Sequence, residues 1–393
     1  MVILGVTQEQ HPDRCRLFAQ WRQFDWPILH DPINVLETSA VPVIIAIDEY
    51  GIVRDRKPRP DTIEVDFVNR VFTDDENVAA LPGRLGPAYP PDFGLLQSAA
   101  DQSQLADHWR TLGDAMFLWG GQQRLNESVQ AYSTAMRQDP QDGRSFFRLG
   151  VALRQRYETP LRHDDDFQAA IHNWGTALQL DPNQYIWRRR IQQYGPRLEK
   201  PYPFYDWVPE AEEAIRTRGE TPVELSVRPD GAEIASPVQR FTAAEPAVEP
   251  DPLGRVVRIK PGNVTAEVTL VPDTVAPGQT VRVHVVLRLD AVQKTELHWN
   301  NEEADPLRLW LDFPDGWDVS NRLLLSAVPQ TPTSNEPRSL EFEVRVPASA
   351  SNSGSVFAYA LFHVCEEADG ICRFARLDIP IRIPLAPDRR GRQ

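Results

Sequence analysis

Hydrophobic positions along this chain follow three rhythms in turn, and each predicts a different kind of structure. Residues 2–6 (Val-Ile-Leu-Gly-Val) form a continuous apolar run of strand length, and residues 12–24 place Leu17, Phe18, Trp21 and Phe24 on one helical face. Residues 43–47 and 52–54 read as two strands joined by Asp48-Glu49-Tyr50-Gly51, and residues 62–72 as a closing helix. From 105 to 194 the spacing turns helical. Two stretches there, Ala131-Tyr132-Ser133-Thr134-Ala135-Met136-Arg137-Gln138-Asp139-Pro140 and Trp174-Gly175-Thr176-Ala177-Leu178-Gln179-Leu180-Asp181-Pro182, match each other class by class. A third unit is expected to start at Tyr185 and to end in a capping helix near 191–194. From 256 to 384 the rhythm shortens to two, with strands expected at 264–271, 280–289, 296–299, 307–313, 339–346, 356–364 and 373–383. Pro-Gly, Asp-Gly and Ser-rich turns separate them, which predicts a β-sandwich.

The expected class is multidomain α+β: an α/β segment over 1–72, a connector over 73–104, helical repeats over 105–217, a Pro-rich linker over 218–255, a sandwich over 256–385 and a basic tail over 386–393. Prolines reinforce these boundaries. The chain has 35 in 393 residues, clustered at 57–61, 81–92 and 222–252, and the last cluster reads as an extended linker. A formal charge of −14 and a pI near 5.1 argue against nucleic acid as a partner. No apolar run approaches the ~20 residues that span a bilayer. Residues 1–6 lack the basic start of a signal peptide, so a cytoplasmic location is expected unless the true start lies upstream of Met1, in which case an extracytoplasmic one is.

Cysteine is scarce, with three in the chain, and two of them, Cys365 and Cys372, flank the loop of one expected hairpin. Antiparallel neighbours at such a mouth come close enough to bridge. Three readings stay open on these residues: a static bridge, an exchanging redox pair, and two unrelated thiols or a metal site. His363 is near, but no further ligand has usable metal spacing, and no cofactor is expected. Cys15 lies within the 12–24 helix between two arginines that could lower its pKa, and is read as a bystander. No nucleophile-elbow motif supports a hydrolase.

Three family resemblances add to this. Trp26-Pro27-Ile28-Leu29-His30-Asp31-Pro32 and Ala40-Val41-Pro42-Val43-Ile44-Ile45-Ala46-Ile47-Asp48 resemble thioredoxin-like redoxins of the alkyl hydroperoxide reductase and thiol-specific antioxidant type, over roughly 2–72. That resemblance implies that Pro42 is the cis-proline beside the redox centre. It also implies a central strand and a CxxC-bearing helix ahead of residue 2, neither of which this sequence contains. The units over 105–217 resemble tetratricopeptide repeats, with irregular spacing, and imply a protein partner.

Leu297-His298-Trp299-Asn300, Phe313-Pro314-Asp315-Gly316-Trp317 and the cysteine hairpin resemble the immunoglobulin-like amino-terminal domain of the thiol:disulfide interchange protein DsbD. This implies catalysis by Cys365 and Cys372 and a redox partner protein, itself expected to be thioredoxin-like. Arg373 and a protonated His363 would lower the thiol pKa, whereas Glu366, Glu367 and Asp369 would raise it. The expected function is thiol–disulfide exchange with a protein disulfide. The alternatives are a non-catalytic interaction scaffold with a structural disulfide, and a peroxide-reducing redoxin whose active cysteine lies upstream of Met1.

Overall fold

The computed structural model describes residues 2–73, 90–103, 105–243, 246–289, 297–303, 305–327, 329–350, 354–366 and 371–386. The protein is α+β. It divides into two compact units, one of Met1–Leu161, Thr176–Arg189 and Ala211–Ser226, the other of Arg162–Gly175, Arg190–Glu210 and Val227–Gln393. Tail residues 387–393 and hairpin-loop residues 367–370, with Glu367 and Asp369, lie outside the described residues.

In the first unit, β1 (Gly5–Thr7) pairs in parallel with β2 (Ile28–His30), and α1 (Pro12–Arg22) connects them. Leu17 is fully buried, and Phe18 meets Trp21 and Phe24 edge-on at 5.7 and 6.0 Å. The hairpin over 46–55 forms as β3 (Ala46–Ile47) against β4 (Val53–Asp55), turned by Asp48, whose Oδ1 accepts from Tyr50 N and Ile52 N.

Three expectations fail here. Val43, Ile44 and Ile45 are not in a strand and are each 49% exposed, because no strand among the described residues takes their backbone groups. β1–β2 and β3–β4 remain separate sheets of two strands. The closing helix shrinks to one π-helical turn, Glu64–Val68, that buries no residue.

The helices of this unit begin earlier than expected. Within the expected connector, α2 (Phe93–Gln102) forms because the Asp92 carboxylate accepts from Gly94 N and Leu95 N. Its Ala100 packs with Leu112 and Met116 of α3 (Ala106–Trp119) and Ala131 of α4 (Leu125–Gln138). α5 (Gly143–Tyr157) follows, capped by Asp142. α6 (Asp166–Leu180) and α7 (Tyr185–Gln192) are each divided between the two units, and the third unit expected from Tyr185 is α7, with no separate capping helix at 191–194. α8 (Val208–Thr217) ends at the predicted domain boundary.

At Gly113 of α3, an added Cβ would lie 2.6 Å from the Tyr132 ring, so glycine sets the α3–α4 approach. The linker is tethered rather than free. Asp13 holds Ser226 through its N at 2.5 Å and its Oγ at 2.6 Å, because residues 221–226 run over polar groups of α1.

The second unit is built on two antiparallel sheets around one apolar core. The first sheet orders β5 (Val264–Val271), β6 (Thr280–Leu289), β12 (Arg338–Arg345) and β9 (Asp318–Val319). The second contains β10 (Leu323–Leu325), β8 (Leu307–Asp312), β13 (Gly354–Glu366), β7 (Leu297–Asn300), β11 (Thr333–Ser334) and β14 (Cys372–Ile383). Val283, Val285, Leu309, Phe342, Ala360 and Phe362 meet in the core.

On the outer side of the first sheet, Arg282 bridges Glu341 at 2.7 Å and Glu343 at 2.8 Å, and His284 Nδ1 lies 3.0 Å from Glu341. Burial pushes the Glu341 carboxyl up, but His284 and Arg282 outweigh it and bring its pKa from 4.5 to about 2.

Gly113→Ala is expected to destabilise the protein by about 1–3 kcal/mol through overpacking against Tyr132, read by chemical denaturation. Glu341 has a depressed folded pKa, so its stabilisation of about 3 kcal/mol is complete above pH 4.5 and is lost as pH falls toward 2. Urea midpoints measured from pH 7 to 2 should show this loss, and Glu341→Gln should flatten it.

Candidate functional site

The site is set by register. β13 runs through the middle of its sheet, with β8 and β7 along one side and β14 along the other. Side chains alternate between faces, so Val356, Ala358, Ala360, Phe362 and Val364 enter the core. Tyr359, Leu361, His363 and Cys365 therefore lie on the outer face. Cys365 pairs directly with Cys372 of β14, and the two are joined by a disulfide with Cα atoms 3.9 Å apart. Glu366 N donates to Ile371 O one pair further out, so the cysteines occupy the close, non-hydrogen-bonded kind of pair.

The two sulfurs differ in setting. Cys365 is only 2% exposed, enclosed by strands on both sides, with His298 of β7 opposite it. Cys372 is exposed on the outermost strand, between Ile371 at 67% and Phe374 at 41% exposure. Beneath them the sheet is stiffly held. Trp299 is fully buried, meets Phe362 edge-on at 5.4 Å, and donates from Nε1 to Glu336 O, while the Arg338 guanidinium lies 4.6 Å over its ring.

His363 sits on the same face as Cys365, tilted against Phe374 at 4.6 Å, and its buried Nδ1 has no hydrogen-bond partner. Burial lowers its pKa, with Arg308 acting in the same direction against Glu303, which favours the neutral imidazole. His363 lowers a thiol pKa only when protonated, and this shift disfavours that state. Arg373 is paired with Glu366 at 3.3 Å. It follows Cys372 in the strand, so its side chain leaves from the opposite face.

His298 stands opposite Cys365 through a long-range strand pairing that no local spacing reveals. The Val41–Pro42 peptide bond is cis. Pro42 and Cys15 belong to the first unit, and the cysteine bridge to the second. Burial pushes the Cys15 thiol up to about 11 and overrides Arg14, contrary to the expected lowering; Cys15 Sγ donates to Thr7 Oγ1 at 3.4 Å. Among the described residues no cluster of His, Cys, Asp and Glu could hold a metal ion, and no helix is long and apolar enough to cross a membrane.

No protein-family model and no curated protein matches the chain. Solved structures that share partial similarity include the GAE domain of yeast GGA1, at 12% identity over 31% of this chain and 96% of that one, with a TM-score of 0.19. A conjugative transposon lipoprotein from Bacteroides eggerthii is similar at 15% identity over 30% of this chain and 96% of that one, with a TM-score of 0.16. Likeness at this level carries no argument about function.

After mild reduction, iodoacetamide is expected to label Cys372 well before Cys365, as read by peptide mass spectrometry at short times. Cys15 should resist labelling in the native protein at pH 8 and react only after unfolding, because its thiol ionises near 11 when folded.

Proposed function

We propose that the protein exchanges electrons with a partner protein's disulfide or dithiol through Cys365 and Cys372. The observation that carries this reading is the asymmetry of the bridge, one cysteine buried within the sheet and the other an exposed residue of an edge strand. An incoming partner thiolate attacks the Cys372 sulfur and forms a mixed disulfide with it. The Cys365–Cys372 bond breaks, and its electron pair leaves on Cys365 as a thiolate. A second partner thiol, after losing its proton, attacks the partner sulfur of the mixed disulfide. The partner leaves oxidised, and Cys372 departs as a thiolate that takes up a proton. Two electrons have then moved to the cysteine pair. The reverse sequence starts from the Cys372 thiolate and reduces a partner disulfide, with Cys365 resolving.

The resemblance of this hairpin to that of the DsbD amino-terminal domain supports the reading. So does the redoxin-like sequence stretch around Pro42. The helical array around Gly113 and Tyr132 resembles tetratricopeptide repeats, for which a protein partner is proposed. The second reading, an interaction scaffold with a fixed bridge, draws on the burial of Cys365 within the sheet.

Equilibration in thiol/disulfide buffers decides between them. A potential between about −120 and −270 mV, the span of known exchange catalysts, fits the redox reading, whereas a bridge closed well below about −300 mV sinks it. Cys365→Ser, which leaves Cys372 free, is expected to trap a mixed disulfide with a thioredoxin-like probe. Cys372→Ser is expected to trap far less.

A further inference from the structure

A cavity of 340 Å³ opens within the first unit, far in sequence from the cysteines. Its wall comes from three places: the loop around Ile33, Asn34 and Glu37, the start of α5, and the turn from α6 to α7. The volume sits at the lower end of the range for small-ligand sites, about 300–1,000 Å³, and suits one long side chain or a short amine. One side is apolar. Phe147 and Trp187 stack there at 5.6 Å and 19°, and both are almost wholly buried. Gly143 makes this packing feasible, since an added Cβ would lie 2.8 Å from the Trp187 ring.

The polar side is acidic in balance, with Glu37, Asp142 and Asp181 against Arg144 and Arg148. Both guanidiniums are engaged. Arg144 donates to Glu37 and Asp142, each at 2.9 Å, and Arg148 donates to Asp114 at 2.5 Å and to the Ile33 carbonyl at 3.2 Å. An anionic ligand would have to break those pairs. Asp181 is different, since its Oδ1 accepts only the Asn183 backbone N–H, at 3.1 Å, and no cation among the described residues pairs with it. Three residues on, Gln184 Oε1 is shielded from water and meets no donor, a situation that costs free energy until a donor arrives. A carboxylate without a cation and an acceptor without a donor thus stand beside an aromatic floor, which is the complement of an alkylammonium or guanidinium group.

We infer that this cavity binds a cationic side chain, the arginine or lysine of a partner polypeptide or a free alkylamine of the same chemistry. Its charged end meets Asp181, a turn of the Gln184 side chain brings Oε1 to the same donor, and its methylene stem lies along the cavity edge of Trp187. The site is independent of the cysteine bridge and of the redox reading.

Titration of the full chain, followed by the Trp187 indole N–H resonance and assigned with Trp187→Phe, tests it. The probes are the acetylated, amidated tripeptide Ala-Arg-Ala, its citrulline counterpart of equal size without the charge, and putrescine. The arginine peptide is expected to shift the Trp187 signal and to bind at least ~10-fold more tightly than the citrulline peptide. Asp181→Asn and Gln184→Met should each weaken it several-fold while leaving the thermal midpoint in place. Putrescine binding as well as the arginine peptide would identify a free amine as the natural occupant, and a preference for the peptide would identify a partner chain. Equal binding of the arginine and citrulline peptides, or no Trp187 shift at about 10 mM of any probe, overturns the inference. Should Asp181→Asn unfold the protein, Gln184→Met with the probe series decides alone.

Discussion

Twelve consecutive cross-strand pairs, from Gly354 with Ile383 to Cys365 with Cys372, fix β13 against β14, and most of the second unit follows from that register. A shift of one residue would send the core side chains of both strands to the outer face. The register brings the two sulfurs opposite each other at the end of the ladder. It also aligns Tyr359 and Arg376 on the outer face, where the guanidinium lies 3.7 Å over the ring and pairs with Asp251 at 2.9 Å. That contact draws residues 249–259 onto the sheet, with Tyr359 Oη donating to Glu249 and accepting from Asp251 N. The last part of the expected linker is thereby built into the sandwich.

The long strands of the second unit were legible because each carries its own period of two and its own turn, so local pattern and final structure agree there. The cysteine pairing was readable for the same reason, since a hairpin is local. The exposure of each sulfur was not. Cys365 is enclosed because β7, whose His298 stands about 70 residues earlier, flanks β13 there, and Cys372 is open because no strand among the described residues flanks the start of β14 on its outer side. The state of His363 depends on burial and on Arg308 and Glu303, which are likewise distant in sequence. The cavity beside Trp187 joins segments near 33, 143 and 184, and Gln184 gave no signal of its own in the sequence.

The amino-terminal segment shows the opposite failure. Apolar runs at 2–6 and 43–47 have the composition of buried strands, yet Val2, Leu4, Val43, Ile44, Ile45 and Ile47 are 49–79% exposed. Composition predicts a strand only if other strands are present to take its hydrogen bonds and cover its side chains. β1–β2 and β3–β4 each form such a pair, and each stops there. α2 was overlooked for a simpler reason: Asp92, which caps it, stands at the end of a proline-rich stretch that reads as loop.

The outermost strand β14 presents a long row of backbone groups, the kind of edge along which sheets of separate molecules join and aggregate. That edge is closed at its middle and just past its end. Ile259 N donates to Arg376 O and Arg376 N to Val257 O, both at 2.9 Å, while Ala386 N donates to Val275 O at 2.9 Å and Val275 N to Pro384 O at 3.1 Å. Between these guards stands Pro380, which has no N–H to offer. Among the described residues, no backbone group bonds to residues 372–375 from the outer side. One stretch at which another chain can lie alongside β14 thus begins with Cys372, so the same open edge that invites strand pairing also leads a partner chain to the bridge.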